Sequence, residues 1–304
     1  MSTRHKIIAN ESNFNLIRNE CLFPSIAHEV IDAVCVDAHD IMRYRSSYEI
    51  ERLLSNKIAT DGLIFCNSGS ECVIKQIIEC LSHHSKRWVI PQPTFELTNF
   101  YCEHYGCIIE RPEYTYSTQF SIDLSRIENT REKILYIVSP HNPTGVNFSK
   151  TELEELCKKY MYVIVDEAYI SPDDQISCSY DNLIYVRSFS KMGGLTGLRF
   201  GFGICFDEKL FSEFNQIRPM YLNAVSLKYA EYILNNDITA RIKNKIDDEI
   251  IALKKIYDVV SAAGNFVLFR DVQSYNGYDL KPYKFSNQWF YRMTLCESNY
   301  FFNR

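Results

Sequence analysis

Short apolar runs alternate with amphipathic stretches through most of this chain, and that alternation constrains the fold more than any other feature. Runs at 62–66, 87–90, 134–138, 162–165 and 183–186 are four or five residues long and read as buried strands. Between them lie helical patterns. Ile50, Leu53, Leu54 and Ile58 share one face, as do Val73, Ile74, Ile77, Ile78 and Leu81. Another helix follows residues 91–95 and ends near Tyr105-Gly106, and Ser149 to Glu152 forms a capping box that opens the next. Strands and helices in strict alternation give an α/β fold with a mostly parallel sheet.

Each strand runs into a polar loop at its carboxyl end. These loops are Ser68-Gly69-Ser70-Glu71, the segment Ser139-Pro140-His141-Asn142-Pro143-Thr144-Gly145, then Asp166-Glu167-Ala168-Tyr169, and finally residues 186–199. Ligands of open α/β sheets sit outside those ends, so the loops are expected to share one site. The first loop is a small polar turn opening a helix, which points free backbone N–H groups at an anion.

From about Ser226 the pattern changes. A long helix is expected, broken near Asn235-Asn236-Asp237 and continuing to about Ala263, with Gly264 as its stop. Strand-like runs follow at 266–269 and 289–295, the second carrying a lone arginine, Arg292. Residues 1–40 thus read as an N-terminal arm, 41–222 as a large α/β domain and 223–304 as a smaller α+β domain that the arm completes.

Charge and cysteine usage narrow the setting. A formal net charge of -5 leaves no basic excess for nucleic acid or an anionic membrane. Only three apolar residues separate Lys6 from Asn10-Glu11, so no signal peptide is expected, and no run reaches membrane-spanning length. The 11 cysteines are scattered through apolar surroundings, as free thiols of a reducing cytoplasm would be. The tightest metal-like group, Cys102-Glu103-His104 with Cys107, lacks a second pair at finger spacing, and no metal is expected.

The 186–199 loop holds Lys191 with Ser188 and Ser190 before it and Arg199 after it. Such a set suits a solvated loop, or an amine nucleophile beside a phosphate cradle. By itself it does not decide. Together with Asn142-Pro143-Thr144-Gly145 and Asp166-Glu167-Ala168-Tyr169, in this order, it resembles the fold-type I pyridoxal-phosphate enzymes, specifically class I/II aminotransferases of the histidinol-phosphate aminotransferase type. The resemblance runs from Asn10-Glu11 to Arg292.

That resemblance implies a three-layer α/β/α fold, pyridoxal 5′-phosphate as cofactor, and a homodimer with sites at its interface. Lys191 would hold the cofactor aldehyde as a Schiff base and later move the substrate's α-proton. Asp166 would pair with the pyridine nitrogen. Tyr169 and Asn142 would bond the ring's 3′ oxygen, with Asn142 also beside the substrate, and Phe95 would stack on the ring. Gly69, Ser70, Ser188, Ser190 and Arg199 would grip the phosphate, joined by Tyr44 of the neighbouring subunit. Arg292 would take the substrate α-carboxylate.

Each of these residues has a plainer reading. Lys191 fits a loop lysine, Asp166 a helix cap and Asn142-Pro143 a turn. Phe95 suits a core, Tyr44 a surface and Arg292 an exposed strand.

Departures from the family pattern fall on substrate-facing positions. Asn10-Glu11-Ser12-Asn13 stands where members commonly read Asn-Glu-Asn-Pro, and Tyr44-Arg45-Ser46 where they read Tyr-Pro-Asp. A second C-terminal arginine, associated with substrate phosphate, is replaced by Lys281 or missing. The expected activity is amino transfer between an amino acid and a 2-oxo acid or a phosphorylated or polar carbonyl compound. A decarboxylase resembling threonine-phosphate decarboxylase shares nearly every cofactor residue and is the alternative.

Overall fold

The computed structural model describes residues 15–302. Seven strands form the main sheet: β1 (Leu63–Asn67), β2 (Arg87–Val89), β3 (Ile108–Glu110), β4 (Ile134–Val138), β5 (Tyr162–Asp166), β6 (Leu183–Ser188) and β7 (Gly201–Cys205). Their spatial order is β1-β7-β6-β5-β4-β2-β3. Only β7 runs against its neighbours, so the sheet is mostly parallel as expected.

Helices cover both faces. In chain order they are α1 (Pro24–Ala33), α2 (Ala38–Met42), α3 (Tyr48–Ile58), α4 (Ser70–Leu81), α5 (Glu96–His104), α6 (Lys150–Lys159), α7 (Glu208–Ile217), α8 (Ala224–Asn235), α9 (Ile238–Lys254) and α10 (Ser298–Phe301). The strands alternate between two cores, because successive side chains point to opposite faces. On β4, Leu135 and Ile137 enter one core while Ile134, Tyr136 and Val138 enter the other. The first core holds Leu54 of α3, Leu153 of α6 and Leu227 of α8. The second holds Ile77 of α4, Tyr101 of α5 and Phe214 of α7. Burying each such side chain is worth about 1.5–3 kcal/mol, so three layers are locked by both faces of one sheet.

A second sheet is wholly antiparallel: β8 (Val259–Ala263), β9 (Phe266–Phe269), β10 (Lys281–Phe285) and β11 (Gln288–Thr294), in the order β8-β9-β11-β10. Here one expectation is corrected. The long helix stops at Lys254, and residues 259–263 are the strand β8. Ala263 pairs with Phe266 across the two-residue turn Gly264-Asn265, so Gly264 turns a hairpin instead of ending a helix. Val259 and Val260 favour the pleated, half-buried surface this creates. The arm joins the second sheet. Leu16 is fully buried in the first core, and its carbonyl accepts from Thr294 N at the end of β11. Among the described residues no helix is long and apolar enough to cross a membrane.

Candidate active site

The carboxyl ends of β1 and β6 are bridged by the start of β7. Asn67, Gly201 and Ser188 lie in one row across the three strands. Gly201 has to be glycine there, because a Cβ on it would lie 2.4 Å from Ser70 N. That close approach seats the N-terminus of α4 on the sheet edge. Gly69 caps the helix with φ +84° and supplies no side-chain partner for its first amides. Over this turn reaches Arg199, whose Nη2 is 2.7 Å from where a Gly69 Cβ would stand. Arg199 Nη1 donates to Ser190 Oγ at 3.0 Å, and Ser190 N donates to Ser188 Oγ at 3.0 Å. Gly69, Ser70, Ser188, Ser190 and Arg199 therefore converge on one cationic, amide-lined cradle suited to a phosphate.

Asp166 ends β5, buried, with Tyr136 OH donating to it at 2.5 Å and Ala168 N at 3.0 Å. Burial nevertheless pushes its carboxyl up to about 6. Lys191 follows β6, half-buried, and its Nζ donates to the Asn19 carbonyl. Burial pulls this amine down to about 8, helped by the Arg292 and Arg199 cations. Burial thereby favours the free base relative to that of an ordinary lysine. Asn142 Nδ2 donates to Tyr169 OH at 2.5 Å, and Arg292 Nη1 donates to Asn142 Oδ1 at 3.0 Å. Arg292 Nη2 donates to the Ile17 carbonyl, while its buried Nε has no partner. Lysine, aspartate, tyrosine, asparagine and arginine thus meet at the strand ends.

Two outlying residues stand apart. Phe95 precedes α5 and is 43% exposed, so the core-phenylalanine reading fails. Tyr44 is 83% exposed and stacks on Tyr221 with centroids 4.6 Å apart. Lys281 is the cross-strand neighbour of Arg292, with Nζ 5.4 Å from the Tyr283 ring centroid. In the metal-like group, Glu103 pairs with Arg111 and His104 stacks on Phe100.

The arm brings a second Asn-Glu pair to the site. Asn10-Glu11-Ser12-Asn13 lies outside the described residues, and the Asn-Glu pair at the site is Asn19-Glu20. Asn19 is buried with φ 57°, and its carbonyl accepts from Lys191 Nζ and from Asn265 Nδ2. Cys21 follows, its thiol pushed up to about 12 by burial. The signal that could have found this pair is Pro24, which opens α1 soon after a second Asn-Glu.

Residues 6–299 match the family model for aminotransferase class I and II. The chain belongs to that family. A histidinol-phosphate aminotransferase of Dehalococcoides mccartyi is 26% identical over 289 residues, 88% of this chain and 77% of that protein. Histidinol-phosphate aminotransferase 2 of Archaeoglobus fulgidus is 30% identical over 215 residues, 66% of this chain and 62% of that protein. In fold, the aminotransferase is similar to histidinol-phosphate aminotransferase of Sinorhizobium meliloti in complex with pyridoxal-5′-phosphate, with TM-score 0.75 and 18% identity over 93% of this chain and 86% of that one. L-threonine-O-3-phosphate decarboxylase of Porphyromonas gingivalis has TM-score 0.67 at 18% identity, over 93% of this chain and 94% of that one.

The protein is a pyridoxal-phosphate-dependent aminotransferase. Its own side chains fit the cofactor. The cradle under Arg199 leaves no room for a Cβ on Gly69, and a buried carboxylate and a half-buried amine stand nearby at adjoining strand ends.

Proposed function

We propose that the enzyme moves an amino group between an amino acid and a 2-oxo acid or a phosphorylated or otherwise polar carbonyl compound, with Lys191 as the amine at the reacting centre. The observation that carries this reading is the placement of Lys191 just beyond β6, beside the strand that ends in Asp166, with its Nζ bonded to the Asn19 carbonyl. Pyridoxal phosphate, when bound, supplies the electron sink that lets the substrate's α-proton and amino group leave.

The other roles belong to the chain. Gly69, Ser70, Ser188, Ser190 and Arg199 hold the phosphate, with Tyr44 of the neighbouring subunit adding a hydroxyl. Asp166 would pair with the ring nitrogen and favour its protonated form. Tyr169 and Asn142 would hydrogen-bond the ring oxygen, and Phe95 would stack on the ring. Arg292 takes the substrate carboxylate in a two-pronged pair, the Ile17 carbonyl yielding its place. Lys191, as a free amine, would carry the substrate's α-proton. A homodimer fits the exposed apolar band of Ile41, Met42, Tyr44, Met220 and Tyr221. A cytoplasmic location fits 11 cysteines that are all free.

Half-reactions with a panel of amino acids test the proposal. The expected result is conversion of the cofactor absorbance to that of its amine form by some donors, without release of carbon dioxide. Carbon dioxide release with no such conversion would overturn amino transfer in favour of decarboxylation. Lys191→Ala should lower turnover about 10³-fold or more. In the native chain, cofactor uptake should accelerate with pH and level above about 8, as the amine loses its proton.

A further inference from the structure

The far end of α4 carries a group of side chains that the cofactor site does not use. Cys80 sits in the last turn of the helix, His84 follows in the turn after it, and Glu213 faces them from α7. One carboxylate oxygen, Glu213 Oε2, accepts from Cys80 Sγ at 3.2 Å and lies 2.7 Å from His84 Nε2. Their ligand atoms all lie within 4.8 Å of one another. We propose that Cys80, His84 and Glu213 form a binding site for a divalent transition metal ion of the Zn²⁺ class.

The donor set suits that ion. A thiolate and an imidazole disfavour Mg²⁺ and Ca²⁺, and three protein ligands leave a fourth tetrahedral position for water. Zn–S and Zn–N bonds put tetrahedral ligand atoms about 3.3–3.8 Å apart. Cys80 and Glu213 are nearly at that spacing, and the His84–Glu213 pair has to open by a few tenths of an ångström to about 1 Å. Thiolate plus carboxylate cancel the ion's charge, and the carbonyl end of α4 adds a favourable dipole.

Tyr162 supplies the supporting contact. Its hydroxyl lies 3.4 Å from His84 Nδ1 and its ring meets the imidazole edge-on, with centroids 5.5 Å apart. With Nδ1–H donated to Tyr162, Nε2 presents its lone pair to the ion. Without metal, the thiol proton bonds to Glu213, so metal binding releases that proton from Cys80 to solvent. The site ties α4 to α7. Ten residues of helix, about 15 Å, separate it from Ser70, so its role is a clamp on the helix whose other end seats the phosphate.

Chelator-treated holoenzyme titrated with Co²⁺ tests this. The expected result is one ion per chain with thiolate charge transfer and the strong visible bands of tetrahedral cobalt. Cys80→Ser and His84→Ala should each weaken binding at least tenfold, and Tyr162→Phe about tenfold. Cys35→Ser, at an exposed thiol elsewhere, should change nothing. Zn²⁺ should raise the Tm of the native chain and not that of His84→Ala, with amino transfer unchanged in both. No tetrahedral spectrum, or native affinity in His84→Ala, would overturn the proposal. His84 is exposed, so that variant keeps its fold.

Discussion

The two sides of the active site are built differently. On the cofactor side, Gly69, Asp166, Ser188 and Lys191 sit at or just beyond the ends of adjoining strands in one sheet buried on both faces. Several of their contacts are local, Ala168 N to Asp166, Ser190 N to Ser188 and Arg199 to Ser190, while Lys191 reaches far along the chain, to the Asn19 carbonyl. The substrate side is assembled from distant pieces. Arg292 comes from an antiparallel sheet and meets Asn142 from 150 residues away and Ile17 from 275 away. A frame of the first kind tolerates little change, because each residue shares its neighbours' geometry. A surface of the second kind can shift with the arm or the second sheet while the cofactor stays held. Among the described residues, the departure at Lys281 falls on the second kind, across from Arg292.

Asp166→Asn is the hardest test of the rigid side. Turnover should fall about 10²–10³-fold, as when a preorganised electrostatic partner is removed. Stability of the cofactor-free protein should move the other way. Asp166 has its carboxyl raised from 3.8 to about 6, so the folded chain holds a proton that the unfolded chain releases. Stability is therefore lost as pH rises between those values, by roughly 3 kcal/mol in all. Chemical denaturation should find the asparagine variant more stable than the native apoprotein above pH 6, with the gap closing toward pH 4. Equal stability across that range would mean that the buried carboxylate carries no strain for function.

Arg292→Lys probes the assembled side. Lysine keeps the charge and loses the planar fork, which also serves Asn142. The expected effect is a 10- to 100-fold fall in kcat/KM, carried by KM for the carboxylate substrate with kcat little changed. A fall confined to kcat would place Arg292 with the rigid frame.

The same contrast governs what could be read from the residues alone. Asn142, Asp166 and Lys191 announce themselves because each lies at the end of an apolar strand or in the loop that follows it, where sequence neighbours are also spatial neighbours. Strand β7 hides because two of its five residues are Gly201 and Gly203, which break the apolar run. Their smallness is needed for contact with Ser70 and with the Phe65 ring. Asn19 is harder to read: its site contact is a backbone carbonyl, which leaves no mark of its own, so the one clue is Pro24 after the second Asn-Glu. Residues 259–263 passed for helix because their partner strand lies across a turn that the pattern of α9 obscures.

Tyr44 carries the smallest predicted effect and separates the two architectures most finely. Within its own chain it stacks on Tyr221. That stretch leads into α8, where Ser226 Oγ donates to the Leu198 carbonyl, next to Arg199. The tyrosine is 83% exposed, so a neighbouring chain can reach it. If a second subunit lies there, Tyr44→Phe removes one hydrogen bond to the partner's phosphate and should weaken cofactor affinity about 3- to 10-fold. Mixing Tyr44→Phe chains with Lys191→Ala chains makes the direction readable. In the mixed dimer the site with native Lys191 receives Tyr44 from the Lys191→Ala chain and should bind cofactor with native affinity. The site lacking Lys191 receives phenylalanine. Native lysine sites that stay weakened after mixing would instead put the hydroxyl's action within one chain, and the outer edge of the cradle would belong with the rigid frame.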